Sequence, residues 1–189
     1  MRFSIIIPAY NSSEYIRRAL DSISQQSFKD YELIVVCDAC TDNTADIARE
    51  YGAKVYEVDF HHEGHTRNYG IDHATGDWLL FMDDDDWWMN EIVLKLIDEH
   101  LNDDVDVLRF GFFWQHHGYC SPGDWYACWN KCYRRSFLDD IRFGDTVDRS
   151  DVHFTNTVIE KQPRYLDLDL PLYYYNYMRK GSVSWKRGG

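Results

Sequence analysis

Four consecutive aspartates, Asp83-Asp84-Asp85-Asp86, follow an apolar run at residues 78–82 and lead into Trp87-Trp88. Adjacent carboxylates at the end of a buried strand repel one another unless something neutralises them. A hard divalent cation does this well, because Mg²⁺ and Mn²⁺ prefer oxygen ligands and bridge readily to phosphates. The plainer alternative is a solvated acidic loop capping the next helix. A buried strand before it and a tryptophan pair after it argue against a chance charge run. A second acidic position, Asp38, ends the apolar run 33–37 within Cys37-Asp38-Ala39-Cys40-Thr41-Asp42. On its own it fits a turn or a helix N-cap equally well.

Carboxylates placed this way need strands that end together. Residues 4–8 form a continuous apolar run, as expected of a strand buried on both faces. Residues 33–37, 54–58 and 78–82 predict three more. Between the first two, Tyr15, Ile16, Ala19, Leu20 and Ile23 fall at helical spacing after the cap-type residues Asn11-Ser12-Ser13-Glu14. Thr41-Asp42-Asn43-Thr44 opens a second helix that stops at Gly52, and a third is expected over 66–74, closed by Gly76. This alternation predicts an α/β fold, a parallel sheet with helices on both sides. Open sheets of this kind bind ligands at the carboxyl ends of their strands. The second half is less regular. It predicts a helix near 89–101, a strand near 105–114, a segment at 130–138, a helix near 151–160, and strands near 164–167 and 171–177.

The 189 residues suffice for one domain with its own core. Against 20 Lys and Arg stand 32 Asp and Glu, a net charge of −12 that repels polyanionic nucleic acid and anionic membranes alike. General nucleic-acid binding is therefore not expected, and Arg179, Lys180, Lys186 and Arg187 form the one small basic cluster. No signal peptide is apparent, and no run approaches the ~18 apolar residues of a membrane span. Five scattered cysteines read as reduced thiols, which points to a cytoplasmic protein. Cys37-x-x-Cys40 and Cys128-x-x-x-Cys132 lack the spacing of a recognised zinc finger. The 14 Tyr and 7 Trp suit stacking on a sugar or base, although most are expected in the core.

In their order along the chain, these pieces resemble the family 2 glycosyltransferases of the GT-A fold. Ser4-Ile5-Ile6-Ile7-Pro8-Ala9-Tyr10-Asn11 is similar to that family's opening strand and first nucleotide loop. Asp38 matches its acidic position after the second strand, Gly64-His65-Thr66-Arg67-Asn68 its Arg-Asn element, and Asp83-x-Asp85-Asp86 its metal motif. Further on, Trp129-Asn130-Lys131-x-Tyr133-Arg134-Arg135-Ser136-Phe137 resembles the acceptor-side region, and Asp151-Val152-x-Phe154 the catalytic segment. Pro171-Leu172-Tyr173-Tyr174-Tyr175 and Gly181-Ser182-Val183-Ser184 match the closing strand and loop. The resemblance spans roughly residues 3–185.

It implies a single GT-A domain over 1–189, with a Rossmann-like, mainly parallel sheet flanked by helices and a short acceptor-side C-terminal part. Residues 1–100 would bind a nucleotide-sugar, a UDP-sugar above all, and residues 101–189 a glycan or lipid-linked hydroxyl acceptor. Pro8, Tyr10, Asp38, Arg67, Asp83 and Asp84 would hold the donor, with Asp38 on the base and Asp83 on the ribose. Asp85 would ligate Mn²⁺ or Mg²⁺, and Asp151 would be the general base of an inverting transfer. Trp129 and His153 are candidates for the acceptor side. Peripheral attachment at the inner membrane face and a homodimer stay open.

The chain also departs from the family pattern. Cys37 stands at a usual Asp, Ala39-Cys40 at the common Gly-Ser, and Ser150 at a frequent Glu. Asp145 and Asp148 are rival bases by sequence distance. Three other functions remain in play. A nucleotidylyltransferase normally carries a Gly-rich, basic loop after its first strand, which Tyr10-Asn11-Ser12-Ser13-Glu14 is not. A binding module without catalysis is a second, and glycosylation of a modified nucleobase, disfavoured by the charge, is a third.

Overall fold

The computed structural model describes residues 1–123, 125–146 and 149–177. The first half alternates strand and helix as its pattern predicts: β1 (Phe3–Ala9), α1 (Ile16–Ser24), β2 (Tyr31–Asp38), α2 (Thr44–Glu50), β3 (Lys54–Val58), α3 (Glu63–His73) and β4 (Trp78–Phe81). These four strands run parallel in the order β3-β2-β1-β4. Every residue of β1 and β4 is buried, which is why both read as unbroken apolar runs. Gly70 of α3 sits where a Cβ would lie 2.4 Å from Ile6 Cγ2, so glycine lets this helix lie close against β1. α3 begins earlier than its apolar spacing suggests because His62 caps it, its side chain accepting from the His65 amide.

The second half adds β5 (Trp87–Trp88), α4 (Val93–His100), β6 (Val107–Trp114), β7 (Gly118–Cys120), β8 (Lys131–Arg134), α5 (Ser150–Glu160) and β9 (Tyr165–Tyr175). They extend the sheet to nine strands, in the order β3-β2-β1-β4-β8-β6-β9-β5 with β7 on β6. Here the pairing turns mixed. β8 lies antiparallel between β4 and β6, β9 runs parallel to β6, and β5 antiparallel to β9.

Two expectations shift. The helix expected near 89–101 is shorter, Val93–His100, and ahead of it Trp87 and Trp88 form a strand that pairs with Tyr174 and Tyr173. Residues 164–167 and 171–177 are not two strands; β9 is continuous, with register shifts opposite Gly111. Phe112 turns its ring to Trp129 and Trp125, while Phe113 stacks on Tyr174, which in turn stacks on Trp87 beneath Arg18 of α1. No helix among the described residues is long and apolar enough to cross a membrane. The basic cluster at 179–187, the motif Gly181-Ser182-Val183-Ser184 and Asp148 lie outside the described residues.

Candidate active site

The carboxyl ends of β2, β1 and β4 lie side by side, with β1 in the middle, so Asp38 and the aspartate quartet flank the loop that leaves β1. That loop is stitched to both neighbours. The Tyr10 amide donates to Asp84 Oδ2 at 3.2 Å, and Asn11 Oδ1 accepts the amides of Thr41 and Asp42 at 2.8 and 3.3 Å. Pro8 is buried in β1, and the Tyr10 side chain stands open at the rim.

The quartet splits into two pairs with different work. Asp84 and Asp86 are buried, whereas Asp83 and Asp85 are partly open. Asp84 is engaged with the Tyr10 amide. Asp86 accepts the Tyr173 hydroxyl at 2.6 Å and the Asn176 amide at 2.7 Å, which ties the quartet to the end of β9. Burial, followed by the charges of Asp85 and Asp83, pushes the Asp86 carboxyl well above its ordinary range. The alternation leaves Asp83-x-Asp85 as the open carboxylates.

Asp83 is held on both its backbone and its side chain. Its amide donates to Tyr173 Oη at 3.1 Å, and its Oδ1 accepts Arg67 Nη2 at 2.7 Å. Burial, with Glu63, Asp151 and Asp85 nearby, pushes its carboxyl up to about 8 against the pull of Arg67. Arg67 itself is 1% exposed and is surrounded by carboxylates: Glu63 at 2.6 Å, Asp83 at 2.7 Å and Asp151 at 3.1 Å. It bridges the end of β4 and the first turn of α5. Asp151 Oδ1 also accepts the Cys128 thiol at 3.7 Å. Burial raises the Asp151 carboxyl, with Glu63 adding to the shift and Arg67 opposing it.

Asp38 sits where the sequence places it, but its carboxylate is fully engaged. Oδ1 accepts the amides of Phe60 and His61, and Oδ2 accepts the amide of His62 and the hydroxyl of Thr66, all within 2.7–2.9 Å. Burial works against the ionised form, yet these donors outweigh it and hold the group below its usual value. A carboxylate has about four lone-pair sites, so in this structure all of Asp38's acceptor capacity goes to shaping the turn into α3.

The structure corrects the acceptor side as well. Trp129 is 5% exposed and stacks on Tyr173 at 4.6 Å, which makes it a core ring rather than a surface platform. His153 is exposed on α5, and a Cβ on Gly144 would lie 2.5 Å from its ring. Asp145 points to solvent and pairs with His65 at 3.0 Å, away from Arg67. Sequence reasoning assigned no role to Glu63, Cys128 or Tyr173. Glu63 was legible as the i,i+4 partner of Arg67 on a helix; the other two carry no sequence signal of their own.

The site's donor set can be tested against a divalent cation. The partly open groups, Asp83 and Asp85, offer hard carboxylate oxygens. That suits a cation held by one or two carboxylates with phosphates completing its shell, as Mg²⁺ commonly is.

The arrangement has close counterparts. A glycosyltransferase from Streptococcus pneumoniae, GlyA, is 25% identical over 97% of this chain, which spans 31% of that protein. TarS of Staphylococcus aureus, a poly(ribitol-phosphate) β-N-acetylglucosaminyltransferase, is 37% identical over 54% of this chain and 20% of its own length. The crystal structure of TarS residues 1–349 with UDP-GlcNAc superposes with a TM-score of 0.82 at 28% identity, over 96% of this chain and 60% of that one. A Pyrobaculum calidifontis mannosyltransferase, solved with GDP-Man and Mn²⁺, shares the fold at 20% identity and a TM-score of 0.79. The chain thus spans about a third of the length of GlyA or TarS. The family model for glycosyl transferase family 2 matches residues 4–160, from β1 through the quartet and Asp151 to the end of α5. With its parallel half-sheet, its open Asp83-x-Asp85 pair and that match in hand, the chain belongs to glycosyl transferase family 2.

Proposed function

We propose that this chain transfers a sugar from a nucleoside-diphosphate sugar, a UDP-sugar in the first instance, to a hydroxyl acceptor with inversion at the anomeric carbon. The observation that carries the reading is the convergence of Asp83 and Asp151 on Arg67 beside the open Asp85. The UDP and UDP-GlcNAc complexes of TarS support the donor class.

The reaction breaks the bond between the anomeric carbon and the diphosphate and leaves negative charge on the departing phosphate. Asp85 would hold Mn²⁺ or Mg²⁺, which supplies Lewis-acid neutralisation of that charge when bound. Asp83 would accept from the ribose hydroxyls, and the rim residue Tyr10 would cover the nucleoside above Pro8. Asp38 acts by fixing the turn at 60–62, and Asp84 by fixing the Tyr10 backbone. Asp151 takes the acceptor hydroxyl's proton as its oxygen attacks. Arg67 binds Asp151 through Oδ1, which leaves Oδ2 for that proton. A single displacement with a single base inverts configuration, whereas retention by two displacements needs a second carboxylate as nucleophile.

The test is release of UDP from UDP-GlcNAc and UDP-glucose, with and without Mn²⁺, in the wild type and Asp151→Asn. The product's anomeric configuration is read by NMR. Metal-stimulated release that collapses in the variant supports the proposal. Binding of UDP without turnover against any acceptor points to a module, and stabilisation by nucleoside triphosphates alone points to nucleotidyl transfer.

A further inference from the structure

Residues 125–128 form a strap that crosses from β7 toward β8 and reaches Asp151 through the Cys128 thiol. It has no strand partner, and side chains hold it instead. Lys131, 2% exposed, donates Nζ to Trp125 O at 2.7 Å, Ala127 O at 2.6 Å and Asn130 Oδ1 at 2.8 Å. Thr155, one turn beyond Asp151 on α5, donates to Tyr126 O at 2.8 Å. A buried ammonium is costly unless its protons are matched by acceptors. Lys131 therefore ties the strap's position to the sheet, and Thr155 ties it to the helix that carries Asp151.

What the strap presents to solvent is aromatic. Trp125 is 38% and Tyr126 50% exposed, while Ala127 and Cys128 turn inward. The Trp125 indole is braced by Phe112 and Trp114, with ring centroids at 5.1 and 5.9 Å and planes near perpendicular. Phe112 also meets Trp129 edge to face at 4.8 Å, so one ring joins the strap to the core. Large exposed rings on a pinned segment beside a carboxylate are an informative exception to ordinary burial. Rings with this amphipathic character suit a ligand that is apolar on its C–H face and polar at its edge. The strap also offers no basic side chain of its own, so a phosphorylated polyol would find no counter-charge on it.

We propose that Trp125, with Tyr126, is the acceptor subsite, stacking on a neutral pyranose and presenting one of its hydroxyls to Asp151. This rests on Asp151 as the base of glycosyl transfer and deepens that reading by naming the acceptor class.

The probes are methyl β-D-glucopyranoside, methyl N-acetyl-β-D-glucosaminide and, as the phosphorylated polyol, ribitol 5-phosphate. Saturation-transfer NMR on the full chain with UDP and Mn²⁺ reads binding, and UDP-induced thermal shift reads the donor site separately. The ring C–H protons of a pyranoside should saturate. Trp125→Leu should weaken that binding roughly fivefold to tenfold, the scale of one aromatic contact. Trp125→Tyr, which keeps a ring and guards against misfolding of the leucine variant, should stay within about twofold of the wild type on the same scale. Met89→Ala, at an exposed site beside α1, is the control. Unchanged pyranoside binding in Trp125→Leu, or ribitol 5-phosphate binding in preference to both pyranosides, overturns the proposal. Pyranoside binding lost in Trp125→Leu while UDP gives no shift sinks the donor reading and still supports this subsite.

Discussion

Asp83 and Asp151 meet on one side chain: Arg67 gives Nη2 to the first at 2.7 Å and Nη1 to the second at 3.1 Å. A planar guanidinium with fixed donors can do this, whereas an ammonium offers a single point charge. The fork sets the distance between the carboxylate at the donor end of β4 and the carboxylate at the head of α5. Glu63 completes the neutralisation from the same helix as Arg67.

Arg67→Lys should therefore lose geometry before it loses charge. Its kcat/KM is expected to fall about 10²-fold, the scale of a ~1 Å misplacement at a reacting centre. Arg67→Met leaves three carboxylates without their cation and should cost on the order of 3 kcal/mol of stability. Urea denaturation separates the two, since wild-type rates in Arg67→Lys would dismiss the bridging role.

Asp151→Asn removes the proposed base without changing the side chain's shape. We expect kcat for transfer to drop by roughly 10²–10⁴, with a far smaller change in donor KM. Asp145→Asn, at an exposed carboxylate bound to His65, should behave as wild type. The reverse pattern in steady-state kinetics would move the base to the loop before α5.

The quartet should respond residue by residue. Asp85→Ala is expected to abolish the Mn²⁺-dependent part of UDP binding, seen by calorimetry. Asp86→Ala instead strands the Tyr173 hydroxyl and the Asn176 amide, with a cost of about 1–3 kcal/mol for each donor left unsatisfied. Equal loss of metal response in both variants would count against the split between open and buried carboxylates.

Acid stability offers a test away from the crevice. Glu32 is buried on β2. Burial opposes its ionisation, but Lys54, Ser4 and Thr75 hydrogen-bond the carboxylate and hold its pKa at about 2. Its folded value lies below its unfolded one, near ~4.3, so its contribution is complete above the unfolded value. That contribution fades as pH falls from about 4 toward 2. Glu32→Gln should accordingly narrow its stability gap to wild type across this window, measured by urea titration at pH 6 and pH 3. A gap that stays constant would show that the ion pair with Lys54 contributes nothing.

Much of the fold was legible because it rests on local periodicity. Residues 5–8, 33–37 and 78–82 are apolar at every position, which marks strands covered on both faces. The spacing of Ile16, Ala19, Leu20 and Ile23 marks the buried stripe of α1. The strand at Trp87-Trp88 carries no sequence signal because two residues show no period; it exists only through pairing with β9. Asp38 was located correctly, but its four hydrogen-bond donors come from residues 60–66 and could not be read from its own neighbourhood.

The sequence by itself determined the parallel half-sheet and the place of the acidic motif at a strand's end, since both are written in residue type and spacing, whereas Asp151 was a candidate only through the family resemblance. Tertiary structure alone decided which two of the four aspartates face the crevice. It also decided that Arg67 spans Asp83 and Asp151, and that Trp125 rather than Trp129 stands at the surface. These outcomes depend on through-space contacts between segments far apart in the chain, and on the irregular register of β9 where it passes Gly111 of β6. A pattern of neighbours along one strand records neither.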